Sequence, residues 1–436
     1  MKTNKEGFPI KYREAVSAAR ESQITSSKRT RKFNRIFTVI ALWLLTATIN
    51  ASGAEDNLRP INPPGIVSEE FVFTNADFPS CHAATILELP SGELLCAFFG
   101  GTREADPDVE IRLSRKPLGG AWTPPVSVAN GVQPDGTRLA TGNPVLFQPK
   151  GGDVLLFYKI LRKGEHWLGE LKTSADQGRT WGRAVKMPDE LIGPDKNKPI
   201  QLSDGTILAP SAIEDSHGWR VHVERSTDQG RTWTSTGPLN DPKQFKAIQP
   251  TILTYSDGRL QMLMRDGRSG DDTRISETWS SDGGKTWTPF AKTSLPNNNS
   301  GLDAVTLQDG RQLLVYNHST RNQPGVGGKG RGVLNVSLSK DGTNWEAALV
   351  LDFLDELSGK QFSYPAVIQT RDGLVHIVYT WHRKRIKHVV LDPKKLVSYP
   401  IENGRWPVEK IPLRPSDLSP KTAAPDFSGA EESSKP

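Results

Sequence analysis

An all-β fold, a six-bladed β-propeller, is what the 436 residues predict, and three observations carry that prediction. A turn glycine flanked by short apolar strands recurs six times, at Gly92, Gly152, Gly205, Gly258, Gly310 and Gly373, every 52 to 63 residues. The stretch STDQGRTW, Ser226 to Trp233, returns as SADQGRTW, SSDGGKTW and SKDGTNW at a fixed phase of that period. Gly (39), Pro (32) and Trp (11) are plentiful, the profile of many short strands joined by turns rather than of long helices.

The turns come first. PIQLSDGTILAP and PTILTYSDGRLQMLMR each place Asp-Gly between two apolar strands, and a tight hairpin turn needs the positive φ that glycine adopts freely. Six such hairpins, at the spacing of a four-stranded sheet, give six blades. The repeated octapeptide comes next. Trp181, Trp233, Trp287 and Trp345 end its copies, and a degenerate copy runs from Ser114 to Trp122. In Ser-x-Asp-x-Gly-x-Thr-Trp the Ser, Asp and Thr side chains can bond the turn backbone while the Trp packs beneath. The box therefore reads as a staple for the outer two strands of a blade. A calcium loop does not fit, because one acid per copy supplies too few oxygen ligands. A closed ring leaves no long sheet edge open, so segment 67–77 is expected to lend a strand to the last blade.

The flanks differ in composition. A basic stretch (Ser27 to Lys32) precedes the apolar run Ile36 to Ile49 and the small residues Ala51 to Ala54, which reads as an export signal or an anchor over residues 1–54. The propeller then occupies 55–412, and 413–436, polar and rich in Pro and Ser, reads as a disordered tail. Cys81 and Cys96 do not make a disulfide framework and are expected as free thiols. The net charge is +6, but the basic excess gathers in the first 36 residues and in His382 to His388. No element interleaves basic and aromatic residues, which argues against nucleic acid.

In a propeller the inner strand of each blade starts at one mouth of the central channel. Residues eight to ten before each turn glycine converge there: His82, Asn143, Asn197 with Lys198, Gln249, Gly301 with Asp303, and Tyr364. The second strands return to the same mouth and add Arg103, Asp106, Lys159, Glu214, Arg265, His318 and the segment Trp381 to Arg385. The expectation is a mainly cationic ring suited to a carboxylate, which Arg can hold through two parallel hydrogen bonds. The eight histidines show no ligand spacing, so neither metal nor cofactor is expected.

With its boxes and strand pairs, the chain resembles the sialidase (neuraminidase) superfamily with Asp-box repeats over residues 67 to 395. That resemblance implies three arginines for a substrate carboxylate, an Asp acid/base on a loop, and a Tyr nucleophile activated by a Glu. Arg265, closing LQMLMR, resembles the second arginine, and Arg331 the third, whereas His82 holds the place of the first. Asp106 in READPDVEIRLSR resembles the acid/base, with Asp108 as rival, and Tyr364 in FSYPAVIQTRDG stands where the nucleophile belongs. Gln249 replaces the activating Glu, and an amide cannot take a proton from tyrosine. His82 or Glu214 is the base that could act instead. Arg103, Asn143 and Lys198 complete the expected substrate-binding set. Taken with the export signal, these readings give an exported, monomeric propeller resembling exo-α-sialidases that releases a terminal acidic sugar. The alternatives are a hydrolase or lyase of a uronate polysaccharide and a non-catalytic propeller that binds acidic carbohydrate.

Overall fold

The computed structural model describes residues 63–161, 167–268, 272–320, 330–354 and 361–412. The expected leader and tail lie outside these residues, as does the glycine-rich insert at 324–329. Gly92, Gly205, Gly258, Gly310 and Gly373 all close inner hairpins at φ between 83° and 90°. In the second unit it is Gly151 (φ 75°), rather than the expected Gly152, that takes the positive φ.

Six antiparallel sheets follow one another along the chain. Their inner strands are Ser80–Glu88, Ala140–Phe147, Ile200–Gln201, Ala247–Thr254, Asp303–Thr306 and Phe362–Gln369, and each pairs with the strand after its turn. Blades one to four add two further strands in sequence order, and blade five adds Tyr399–Pro400 as a fifth. The outer strand of blade six comes from the other end of the propeller. Ile66–Phe71 pairs antiparallel with Arg385–Leu391, with Glu69 opposite Val389, which closes the ring as the sequence predicts.

The apolar core is divided among the six seams between blades. Leu89, Leu95, Leu146 and Leu156 fill the seam of blades one and two. Val145, Phe157, Ile207 and Trp233 fill the next, and Leu208, Val221, Ile252 and Met262 the third. Leu263 meets Leu314 across blades four and five, and Leu313 meets Ile377 across five and six. Ile86, Phe98 and Val378 shut the ring between six and one. Inner strands bury both faces in this arrangement, so they read as apolar runs rather than as alternations.

Each box ties a blade's own edge and touches the blade before it. In the third blade Asp228 accepts the Thr232 amide (2.9 Å) and hydroxyl (2.6 Å), and Ser226 Oγ accepts the Gly230 amide (2.8 Å). Trp233 Nε1 donates to the Gly230 carbonyl at 3.0 Å. The Asp and Ser bonds recur around Asp176, Asp282 and, with Asn344 in place of the Thr, Asp341; Trp287 and Trp345 repeat the indole bond, and the buried Trp181 indole nitrogen has no partner among the described residues. Gly230 sits at φ 86°, a conformation that favours glycine, and a Cβ there would come 2.7 Å from Leu155 Cδ1 of blade two, which would have to shift. The boxes set the spacing of the blades.

Candidate active site

Four inner strands carry the same irregularity where they reach the mouth. Pairing slips between His82 and Thr85, Gly142 and Val145, Ile248 and Thr251, and Ser363 and Ala366. At the slips Ala83 (φ 55°), Asn143 (38°), Gln249 (55°) and Tyr364 (54°) adopt positive φ. Three of them precede a proline, Pro144, Pro250 or Pro365, which has no N–H to continue the ladder and so belongs at a bulge. A left-handed non-glycine residue costs roughly 1–2 kcal/mol, and four at one mouth mark a site where strain is held for function. The bulges present Asn143, Gln249 and Tyr364 to a common pocket.

That pocket is about 190 Å³. Trp167, Ile192, Ala212 and Ile213 form apolar walls, and Asn143, Gln249, Arg265, Tyr364, Glu104, Asp195 and Glu214 supply polar ones. Gly142 is needed beside it, since a Cβ there would lie 2.7 Å from the Trp167 ring. Among the described residues, three carboxylates and one guanidinium line the pocket, which differs from the expectation of a mainly cationic ring. The other cations are there in sequence but are already engaged.

Arg265 organises the centre. Its Nη1 donates to Gln249 Oε1 and to the Tyr364 hydroxyl, both at 2.7 Å, and its Nε donates to Asn299 Oδ1 at 2.7 Å. Nη2 has no partner among the described residues. Because Arg only donates, it fixes the amide of Gln249 with the oxygen towards itself, leaving Nε2 to donate to Tyr364 at 3.2 Å. The phenol oxygen thus accepts two hydrogen bonds. None of the described residues accepts its proton. Around the Tyr364 ring stand Arg331 at 5.4 Å and Arg265 and Lys196 at 5.8 Å. Lys196 is fully buried, donates to Asn197 Oδ1 and the Leu302 carbonyl, and is pushed down to about 7 by burial.

His82 packs its ring on that of Tyr364 with centroids 4.1 Å apart, and its Nδ1 bonds Thr380 Oγ1 at 2.8 Å. Burial, then the charges of Arg383, Arg331, Lys196 and Arg265, drive its pKa well below the usual value. It is a neutral ring against the tyrosine face, with no bond to the hydroxyl. Arg331 is held by Ser300, Gln361 and the Asn299 carbonyl. Lys198 donates to Asp303 (2.9 Å) and the Ala304 carbonyl. Arg103 and Asp106 pair with one another at 3.0 Å, the arginine side chain 80% exposed. Asp108 accepts the Thr102 amide. The acid of that loop that lines the pocket is Glu104, joined to Arg383 of blade six. Of the residues predicted from sequence, the structure brings Tyr364, Gln249, Arg265 and Asn143 together in the pocket and sets His82 and Arg331 behind them. It leaves Arg103, Asp106 and Lys198 outside.

Sequence reasoning passed over Asp195, Glu104 and Trp167, and named Glu214 only as one rim residue and a possible base. Asp195 lies on an irregular segment between blades two and three. Glu224 holds that segment by accepting the Ile192 amide (2.9 Å), the Gly193 amide and Ser211 Oγ (2.9 Å), while Lys159 Nζ reaches the Ile192 and Gly193 carbonyls. Burial lowers Lys159 to about 8. Asp195 accepts the backbone N–H of Gln249 at 3.2 Å and bonds the Asn143 side chain, and its burial raises its pKa. Glu214, closing the second strand of blade three, is raised to about 7 by burial and then by the charge of Asp195, against Arg265 and Lys246.

The BNR repeat-like domain family matches residues 92–377. A sialidase of Micromonospora viridifaciens is 27% identical over 293 residues, covering 63% of this chain and 42% of the relative, so the chain spans well under half of that protein. Among solved structures, the Hadza microbial sialidase Hz136 superposes with a TM-score of 0.63 at 19% identity, over 76% of this chain and 69% of that one. A protein of unknown function from Dyadobacter fermentans gives 0.61 at 20% identity, over 76% and 99%.

Proposed function

Because this chain belongs to the BNR repeat-like domain family and is a divergent member of the sialidase superfamily, we propose that it is a glycoside hydrolase releasing a terminal acidic sugar from a glycan. The observation that carries the reading is Arg265, a guanidinium lining a small pocket, with Nη2 unpartnered among the described residues and the other nitrogens braced by Tyr364, Gln249 and Asn299. A sugar carboxylate there would be held by a charge-assisted bond from a rigid donor. The pocket is smaller than the 300–1,000 Å³, roughly, of drug-sized ligand sites, which suits one terminal sugar and not a run of them. Asn143, Asp195 and Glu104 are left to the hydroxyls, and Trp167 to an apolar face of the ring.

The substrate is an acidic sugar in a broad sense, sialic acid or a uronate, since the neutral His82 gives no second charge to its carboxylate. Water, rather than Tyr364, attacks the anomeric carbon, because the phenol proton has no acceptor among the described residues. Export by way of the apolar run at residues 36–49 is part of the same proposal. The test is a turnover screen on sialyl and uronate glycosides with the wild type and Arg265→Ala. Turnover that the substitution abolishes supports the reading. Binding of an acidic sugar without turnover points instead to a binding propeller.

A further inference from the structure

Resting on that reading, we propose that Glu214 is the acid that protonates the leaving glycosidic oxygen, a role the family resemblance would give to Asp106. Among the described carboxylates at the mouth, the others already have partners or stand outside the pocket. Asp106 is bonded to Arg103 and does not line the pocket. Glu104 is paired with Arg383. Asp303 accepts from Lys198, Thr251 and the Val367 amide, and Asp195 accepts from Gln249 and Asn143. Glu214 lines the pocket, half-buried, and its carboxyl makes no hydrogen bond or ion pair with any described residue.

A group that must give up a proton to substrate needs an open bonding position and a reason to be protonated at neutral pH. Apolar neighbours Ile213 and Ala212 and the nearby Asp195 supply the second, and hold Glu214 near 7. Among the described residues, the other charged or titratable groups facing it are Arg265 and Lys246, which oppose that shift, and Glu104 and Tyr364 across the pocket. The neighbouring Asp215 and Arg220 neutralise one another.

The step balances. As the bond from the anomeric carbon to the glycosidic oxygen breaks, the Glu214 proton passes to that oxygen and the alcohol leaves neutral. Water then gives its hydroxyl to the carbon and its proton to Glu214, which restores the acid. Net, one glycoside and one water become a free sugar and an alcohol.

The test compares an alkyl with a dinitrophenyl glycoside of the same acidic sugar, because a good leaving group needs little protonation. The full chain is assayed as wild type, Glu214→Gln and Asp106→Asn across pH 4 to 9. The expected result is a loss in kcat of about 10²–10⁴-fold for Glu214→Gln on the alkyl glycoside, a far smaller loss on the dinitrophenyl glycoside, and disappearance of the alkaline limb of the rate profile. Asp195→Asn should move that limb to lower pH, a shift that a purely structural role would not give. Equal losses on both substrates, or a leaving-group dependence that appears in Asp106→Asn instead, overturns the assignment while wild-type turnover keeps the hydrolase reading intact. A wild type that turns over neither glycoside overturns both.

Discussion

Replacing Tyr364 by Phe decides whether the tyrosine attacks substrate or holds the arginine. The substitution keeps the ring against His82 and removes one oxygen, the acceptor for Arg265 Nη1 at 2.7 Å and Gln249 Nε2 at 3.2 Å. A hydrogen bond to a charged group is worth about 1.5–3 kcal/mol, so kcat/KM should fall by roughly 10- to 150-fold. Loss of an attacking nucleophile costs on the order of 10⁶-fold. Gln249→Glu supplies the second arm. A carboxylate at this position keeps the bond from Arg265 but turns the atom facing Tyr364 from donor to acceptor, giving the phenol proton somewhere to go. General-base assistance is worth about 10²–10⁴-fold, and only a chain that retains Tyr364 can gain it. The assay is a double-mutant cycle in kcat/KM on one acidic glycoside, with Tyr364→Phe costing at least tenfold more, roughly, in the Gln249→Glu background than in the wild type. A loss near 10⁶-fold in the wild-type background, or no coupling between the two positions, refutes the reasoning.

Three further predictions concern stability. Trp233→Ala removes a buried indole that packs edge-on to Phe157 at 5.6 Å and bonds the Gly230 carbonyl; the cost should be about 3–5 kcal/mol, read as a lower urea midpoint, and a loss under about 1 kcal/mol would show that the seam does not depend on the box. His318 and His376 are each lowered to about 4, mainly by burial, so between their ordinary value near 6.5 and pH 4 the unfolded chain takes up protons that the folded chain refuses. Stability is then lost as pH falls through that window, by up to about 1.4 kcal/mol per pH unit for each histidine; a urea midpoint that holds steady from pH 7 to pH 5, or falls as steeply in His376→Gln, contradicts this. Cys81 and Cys96 are free and buried, and burial pushes both thiols up, so a thiol reagent should label neither in the native protein and both in urea, as mass spectrometry would report.

The fold was legible because its signals are local. Asp-Gly turns and the Ser-x-Asp boxes are self-contained hydrogen-bonded units, and their spacing alone gives blades. Part of the site shares that phase: Ala83, Asn143, Gln249 and Tyr364 each stand nine residues before Gly92, Gly152, Gly258 and Gly373. The Asn-Pro, Gln-Pro and Tyr-Pro pairs were a readable sign of bulges that the hydrophobic pattern does not give. Lys196 occupies the same phase in blade three, but the inner strand there is only Ile200–Gln201, so periodicity gave no register and Asp195 was passed over. Glu104 was hidden for another reason. Which acid of the loop turns inward is set by Arg383, 279 residues away, a partnership no local pattern contains. The cationic ring failed likewise, since a count of arginines and lysines does not say which already have partners.

Those partnerships leave the proposed anion site with few free cations among the described residues. Arg103 meets Asp106, Lys198 meets Asp303, Arg383 meets Glu104, and Arg268 meets Asp266. Among the described residues Arg265 is the one guanidinium that lines the pocket, and its bonded partners, Gln249, Tyr364 and Asn299, are all neutral. A carboxylate in place of the Gln249 amide would neutralise Arg265 from within the protein; the amide braces it and leaves its charge for a ligand. The same choice bears on the acid. A sugar carboxylate entering at Arg265 brings negative charge close to Glu214 and Asp195, and nearby negative charge favours the protonated form of a carboxyl group. Glu214 therefore holds its proton more firmly with substrate in place than without it, so the alkaline limb in kcat should lie at higher pH than the limb in kcat/KM.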